Sequence, residues 1–184
     1  MTKFEETTLK TEKVFAGKII SLQVDDVKLP DGNVSKREIV KHPGAVAVIP
    51  VTSDGKIVFV EQFRKPLERS IVEIPAGKIE LNEDPIKTAQ RELEEETGYR
   101  AKHLEHIASF YTSPGFADEL IHIYYANHLE KGSGEMLGDE DEFVEIVELT
   151  LPEAEQYIEQ KKIYDAKTVY AVQYLKVIGI DSSC

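Results

Sequence analysis

Between residues 8 and 41, apolar and polar positions alternate in short segments. Phe15, Ile19, Ile20, Leu22 and Val24 mark the first stretch. Val27 and Leu29 lead into Pro30-Asp31-Gly32-Asn33, a strong turn signal, and Val34 to Val40 resumes an extended pattern. The alternation predicts a small antiparallel meander. No long linker follows it, so residues 1–43 read as a β arm and residues 44–184 as the main domain.

The next run, Ala45-Val46-Ala47-Val48-Ile49-Pro50-Val51, predicts a buried strand. Ser53-Asp54-Gly55 turns the chain, and Ile57-Val58-Phe59-Val60 is expected as its hairpin partner. Ser70 to Ile74 predicts another strand, ended by Pro75-Ala76-Gly77. A helix is then well marked at about 85–97. Asp84 suits its N-cap, Pro85 its first position and Gly98 its C-terminal stop. Ile86, Ala89 and Leu93 form its apolar stripe. Strands follow at about 104–112, 119–128 and 143–149. Thr150 and Glu153 have capping-box spacing for a helix to about Lys161. Asp165 caps a last helix to Gly179, with Val169, Val172, Leu175 and Val177 or Ile178 inward. Strands come mostly before helices with one helix among them, which predicts an α+β sandwich with a mixed sheet.

The helix at 85–97 carries chemistry. Glu92, Glu95 and Glu96 fall at i, i+3 and i+4 and converge on one side. Three neighbouring carboxylates repel one another, and a hard divalent cation such as Mg²⁺ or Mn²⁺ resolves the repulsion through oxygen ligands. Leu93 and Ala89 are expected a quarter-turn away, in the core. Arg91 reaches Glu95 at i+4. An isolated Glu cluster is ordinarily a solvated face. The surrounding spacing changes that: the segment reads G-x5-E-x7-R-E-U-x-E-E-x-G-U, with U apolar and Tyr99 in the final slot.

Charge narrows the partners. The chain has 184 residues with 22 Lys+Arg and 34 Asp+Glu, a formal net charge of −12. That disfavours a protein that grips a nucleic acid backbone or an anionic membrane surface. It leaves room for an anionic substrate, because bound metal inverts the sign of a local field. The single cysteine, Cys184, allows no internal disulfide. The polar start lacks the apolar stretch of a signal peptide, and a cytoplasmic location is expected. No zinc-type His motif, P-loop or nucleophile elbow occurs.

The pattern from Gly77 to Tyr99 resembles the signature box of the Nudix hydrolases at every defining position. The resemblance implies an α/β/α sandwich and hydrolysis of a nucleoside diphosphate linked to another moiety. It implies metal binding by Glu92, Glu95 and Glu96 with the Ala76 carbonyl, a catalytic role for Glu96, and support from Glu83 and Arg91. Glu94 falls at the variable position and is expected to be solvated. Pro114, sixteen residues after Gly98 in Ser113-Pro114-Gly115, is similar to the marker of the ADP-ribose pyrophosphatase branch. Phe63-Arg64 and Glu73-Ile74-Pro75-Ala76-Gly77 look similar to its bacterial members. This branch implies hydrolysis of ADP-ribose to AMP and ribose 5-phosphate, Mg²⁺ with Mn²⁺ as a substitute, and a homodimer formed through the N-terminal arm. Within the acidic run 139–142, Glu140 falls where the family's general base lies and Glu142 where a further metal-linked carboxylate lies. Arg64 is the candidate for a substrate phosphate or base, because guanidinium serves both. Arg37 is a second candidate, on the arm, and Tyr111 and Phe116 flank Pro114 as pocket candidates. Two alternatives stay open: another sugar nucleotide such as GDP-mannose, or a nucleotide-binding module without catalysis.

Overall fold

The structure is a computed structural model and describes residues 2–132 and 143–179. The chain divides into two compact units. One comprises the stretch to Gly44 together with Phe110–Ile121; the other comprises Ala45–Ser109 and the chain from His122 onward.

In the first unit, β1 (Thr7–Ala16), β2 (Ser21–Lys28) and β3 (Val34–Lys41) form an antiparallel meander in that order. The β2–β3 turn closes where the sequence predicts. Leu29 N–H donates to Asn33 O at 2.8 Å, Asp31 Oδ1 accepts from Asn33 N–H at 2.9 Å, and Gly32 takes the positive φ of 91°. Every residue of β1 is exposed. The Pro114 loop is stitched to β3: Val40 N–H donates to Phe116 O at 2.8 Å and accepts through its own carbonyl from Asp118 N–H at 3.2 Å. Asp118 also accepts from Lys41 Nζ at 2.5 Å and from His42 N–H at 2.9 Å. Burial opposes the Asp118 charge, but those donors hold its carboxyl below its ordinary range.

The second unit holds β4 (Ala45–Pro50), β5 (Ile57–Arg64), β6 (Arg69–Glu73), β7 (Ala76–Lys78), α1 (Pro85–Thr97) and β8 (Tyr99–Ala101). It continues with most of β9 (Glu105–Tyr111) and β10 (Leu120–Ala126), then β11 (Leu129–Lys131), β12 (Val144–Leu149), α2 (Leu151–Glu159) and α3 (Ala166–Ile178). One sheet has the order β7-β4-β10-β9 and another β12-β5-β6. The expected β4–β5 hairpin does not form. The two strands lie in different sheets and touch through a single bridge, Val51 to Ile57. Both are buried on both faces along the shared apolar runs, so each needs its own two neighbours and cover above and below. The three-residue strands β7, β8 and β11 go unannounced in the sequence, because three positions carry no period.

Helix α1 packs on the first sheet through Val46, Val48, Ala89, Leu93, Leu104, Tyr124 and Ala126. Helices α2 and α3 pack together against the second, giving the expected α+β class. The inner face of α3 differs from the expected one. Thr168, Ala171, Val172 and Leu175 are buried, a clean i, i+3, i+4, i+7 stripe, whereas Val177 is 85% exposed and Ile178 46%. Among the described residues no helix is long and apolar enough to cross a membrane.

Thr168 makes a long-range tie. Its buried hydroxyl accepts from Ile74 N–H at 3.0 Å, fixing the chain just past β6. Replacing Thr168 by the isosteric Val orphans a buried amide, so we expect a loss of about 1–3 kcal/mol in urea unfolding. A loss under about 0.5 kcal/mol would show that water satisfies that amide.

Candidate active site

The site is assembled from β7, the loop after it and α1. Asp84 Oδ1 accepts from Ile86 N–H at 3.1 Å to start α1, and Gly98, at φ 68°, stops it with its N–H on Glu94 O at 2.8 Å. The buried stripe of α1 is not the purely apolar one expected. Ala89, Glu92, Leu93 and Glu96 share it, with Thr88 beside them, while Ile86 is 37% exposed. Glu92 and Glu96 therefore lie within the buried face rather than next to it. Glu95 is half-buried.

Two buried carboxylates on one helix need a close polar neighbour. Strand β7 supplies it. Ala76 N–H donates to Glu96 Oε2 at 2.9 Å. At Gly77 the backbone and Glu92 are so close that an added Cβ would stand 2.0 Å from the Glu92 carboxyl carbon. Only a residue without a side chain leaves room for that carboxylate.

Arg91 gathers the remaining acids. Its guanidinium reaches Glu83 at 3.2 Å, Glu92 at 2.8 Å and Glu95 at 2.8 Å. Burial works against the Arg91 charge, but those three carboxylates outweigh it and hold the side chain well above its ordinary pKa. Arg91 in turn holds Glu83 below the usual carboxylate range, with the Thr88 hydroxyl donating to it at 2.9 Å. Glu94 is not free in solvent as the sequence suggested; it pairs with Arg100.

Among the described residues no three His, Cys, Asp or Glu side chains are placed to hold a metal ion together. The donor set nevertheless suits a hard divalent ion. It consists of carboxylate oxygens on one helix face, with Glu92 packed on the bare backbone of Gly77. One guanidinium meets three of these carboxylates, Glu96 stands beside them, and a cation would relieve the excess.

The structure brings three of the five substrate candidates together. Arg37, Pro114 and Phe116 line one cavity of about 350 Å³ in the first unit, with Glu6, Ile39 and Asp118. Tyr111 is exposed and lies outside that lining. Arg37 is held by Glu6 through two bonds at 2.9 and 2.6 Å, and its third nitrogen donates to Ser35 Oγ and Lys36 O. Arg64, in the second unit, bonds through Nε to the buried carboxylate of Glu73. Glu73 also pairs with Lys167, a link that no local sequence signal announces across 94 positions. Glu140 and Glu142 lie outside the described residues.

Gly77 carries a direct prediction. Gly77→Ala must push Glu92 aside, so we expect kcat/KM to fall by about 100-fold while far-UV circular dichroism stays native. A variant of near-normal activity would show that Glu92 need not sit there.

A NUDIX domain model matches residues 41–170, and a model described as the nucleoside diphosphate sugar hydrolase N-terminal domain matches residues 6–40. The chain is 64% identical over 174 residues to a Bacillus methanolicus protein named methanol dehydrogenase activator, covering 95% of this chain and 94% of that one. It is 59% identical over 177 residues to the ADP-ribose pyrophosphatase of Bacillus subtilis, covering 96% of each. A crystal structure of an ADP compounds hydrolase shares the fold, with a TM-score of 0.83 at 23% identity over 98% of this chain and 100% of that one. With most of its length matched by the domain model and its carboxylate box seated against the Gly77 backbone, the chain belongs to the Nudix family.

Proposed function

We propose that the chain hydrolyses the diphosphate bond of ADP-ribose to AMP and ribose 5-phosphate. The observation that carries this is the 59% identity, over 96% of both chains, to a relative named ADP-ribose pyrophosphatase. The complete box from Gly77 to Tyr99 and the seating of Glu92 and Glu96 on β7 agree with it.

A diphosphate resists attack because its own charge repels the nucleophile. Mg²⁺, or Mn²⁺ in its place, would be held by Glu92, Glu95 and Glu96, with the Ala76 carbonyl and Glu142. When bound, it neutralises phosphate oxygens and lowers the pKa of coordinated water. The rest falls to the protein. Arg91 holds Glu92 and Glu95 in place, the Ala76 amide orients Glu96, and the missing side chain of Gly77 makes room for the Glu92 carboxylate. Glu96 serves the reaction from that anchored position. Glu140 is the proposed base that takes the proton from the attacking water. Arg64 binds a substrate phosphate, while Arg37, Pro114 and Phe116 frame the nucleotide, with Tyr111 at the edge of that loop.

The test is a panel of nucleoside diphosphate compounds assayed with Mg²⁺ and with Mn²⁺. We expect ADP-ribose to give the highest kcat/KM and AMP as product. GDP-mannose as the better substrate would overturn the choice, and binding of ADP-ribose with no AMP released would favour a module without catalysis. In the same assay Glu140→Gln or Glu142→Gln is expected to cost about 100-fold or more, the scale of a lost general base or ligand. Near-normal rates for both would remove the assignment.

We also propose a homodimer through the arm and a cytoplasmic setting. Strand β1 is a sheet edge with all ten residues exposed, Leu9, Val14 and Phe15 each at 55%. Such an edge calls for cover by another surface. Val14→Asp combined with Phe15→Asp is expected to halve the mass seen by light scattering. An unchanged mass would place the contact elsewhere.

A further inference from the structure

Glu73 ends β6 with its carboxylate 5% exposed, between Arg64, nine residues before it, and Lys167, 94 residues after it. Lys167 Nζ, itself 13% exposed, donates to Glu73 Oε1 at 2.5 Å. Arg64 donates to the other oxygen, Oε2, and only through Nε. Among the described residues the two terminal guanidinium nitrogens of Arg64 have no protein partner, and the side chain is 39% exposed.

That single bond is unusual for this pair of groups. A carboxylate with both oxygens available ordinarily takes a guanidinium as a fork, through two parallel N–H···O bonds. At Glu73 the two oxygens are divided instead: Lys167 holds Oε1 and Arg64 takes Oε2 alone. Lys167 is fixed in turn by Asp165 Oδ1 at 3.0 Å, the same oxygen that accepts from Thr168 N–H at 3.1 Å and starts α3. Thr168 pins Ile74, the residue after Glu73. The first turn of α3 thus sets both the backbone at 73–74 and the bonding pattern of the Glu73 carboxylate.

We infer that Lys167 is a positioning residue for substrate recognition: by claiming one oxygen of Glu73, it keeps the Arg64 guanidinium singly held, with its terminal nitrogens open to a phosphate group. This rests on the reading of Arg64 as a substrate contact. Without Lys167 both oxygens of Glu73 turn to Arg64 and draw its fork inward. The chemistry at α1 is untouched, so the cost falls on KM rather than kcat.

The test uses the full chain and whichever compound of the panel is turned over best. Arg64→Ala should raise KM. Lys167→Met, which keeps the length of the stem and removes the charge, should raise KM by about tenfold with kcat changed less than about twofold, the scale of losing one charge-assisted bond. Glu73→Gln added to Lys167→Met should bring KM back to within about threefold of the parent, because an amide offers a single acceptor oxygen and cannot accept a fork. Lys167→Met should add nothing to Arg64→Ala. If the Glu73→Gln, Lys167→Met chain is as impaired as Lys167→Met, or if Lys167→Met still raises KM beside Arg64→Ala, Lys167 acts only on the fold and the inference fails. An unchanged KM for Arg64→Ala removes the Arg64 assignment itself, and the inference with it. Should Lys167→Met not fold, the Glu73→Gln, Lys167→Met chain, which buries neither charge, decides alone: a KM far above the parent's overturns the inference.

Discussion

The buried contact between two carboxylates of α1 and the bare backbone of β7 governs the design of this molecule. Glu92 and Glu96 lie on the inner stripe of α1, where a charged group is tolerated only with partners. Glu96 has the Ala76 amide, and Glu92 has Arg91 and fills the place where a Gly77 side chain would stand. Much of the second unit serves to hold that contact. Strand β4 pairs with β7 along Ala45–Ala47, and Val48 N–H donates to Pro75 O at 2.9 Å, so the strand end cannot drift. Leu93 and Ala89, fully buried, press α1 onto the same sheet. The acids are thus held in register by the core beneath them rather than by one another.

What could be read from the sequence follows from how local each determinant is. The limits of α1 were legible because Asp84, Pro85 and Gly98 act on their own turn of chain. The Pro30–Asn33 turn was legible for the same reason. The box glycine was legible as a spacing, but its cause, a carboxylate where its Cβ would be, belongs to tertiary structure. The separation of β4 from β5 into two sheets was not legible. A short loop with Asp54-Gly55 promises a hairpin, and only the need to cover both faces of two apolar strands overrides it. The stripe of α3 is not legible either, because Thr168, a polar residue, takes a core position by hydrogen bonding to Ile74, while Val177 and Ile178 are exposed. Lys167 was invisible, since its partner Glu73 is 94 residues away and a lone lysine after a helix cap resembles any surface lysine.

The candidate contacts gather in two places, and each is organised by acids. In the first unit, the strand edge at Val40 and the side chain of Asp118 fasten the Pro114 loop to β3, which brings Phe116 and Pro114 to the cavity that Arg37 lines. In the second, Glu73 fastens Arg64 and Lys167. An arginine on an acidic protein is seldom left alone, and both of these are oriented by a carboxylate before any substrate arrives. Tyr111, the last residue of β9, lies outside the cavity lining and is exposed.

On the proposed function, the orientation of those arginines bears on how a chain of net charge −12 would meet an anionic diphosphate. Arg91, nearest the box acids, is committed to Glu83, Glu92 and Glu95 and has little left to offer a phosphate. Arg37 gives Glu6 a two-bond grip and Ser35 and Lys36 its third nitrogen, so a ligand there must compete with an existing ion pair. Arg64 differs from both, since its carboxylate partner is shared with Lys167 and takes it by one nitrogen. Of the three arginines it alone has, among the described residues, terminal nitrogens without a protein partner. The acidity therefore does not repel the substrate uniformly. Carboxylates gather at α1, where a divalent cation would supply the positive charge, and on the inference drawn above Glu73 and Lys167 together leave one guanidinium ready for a phosphate.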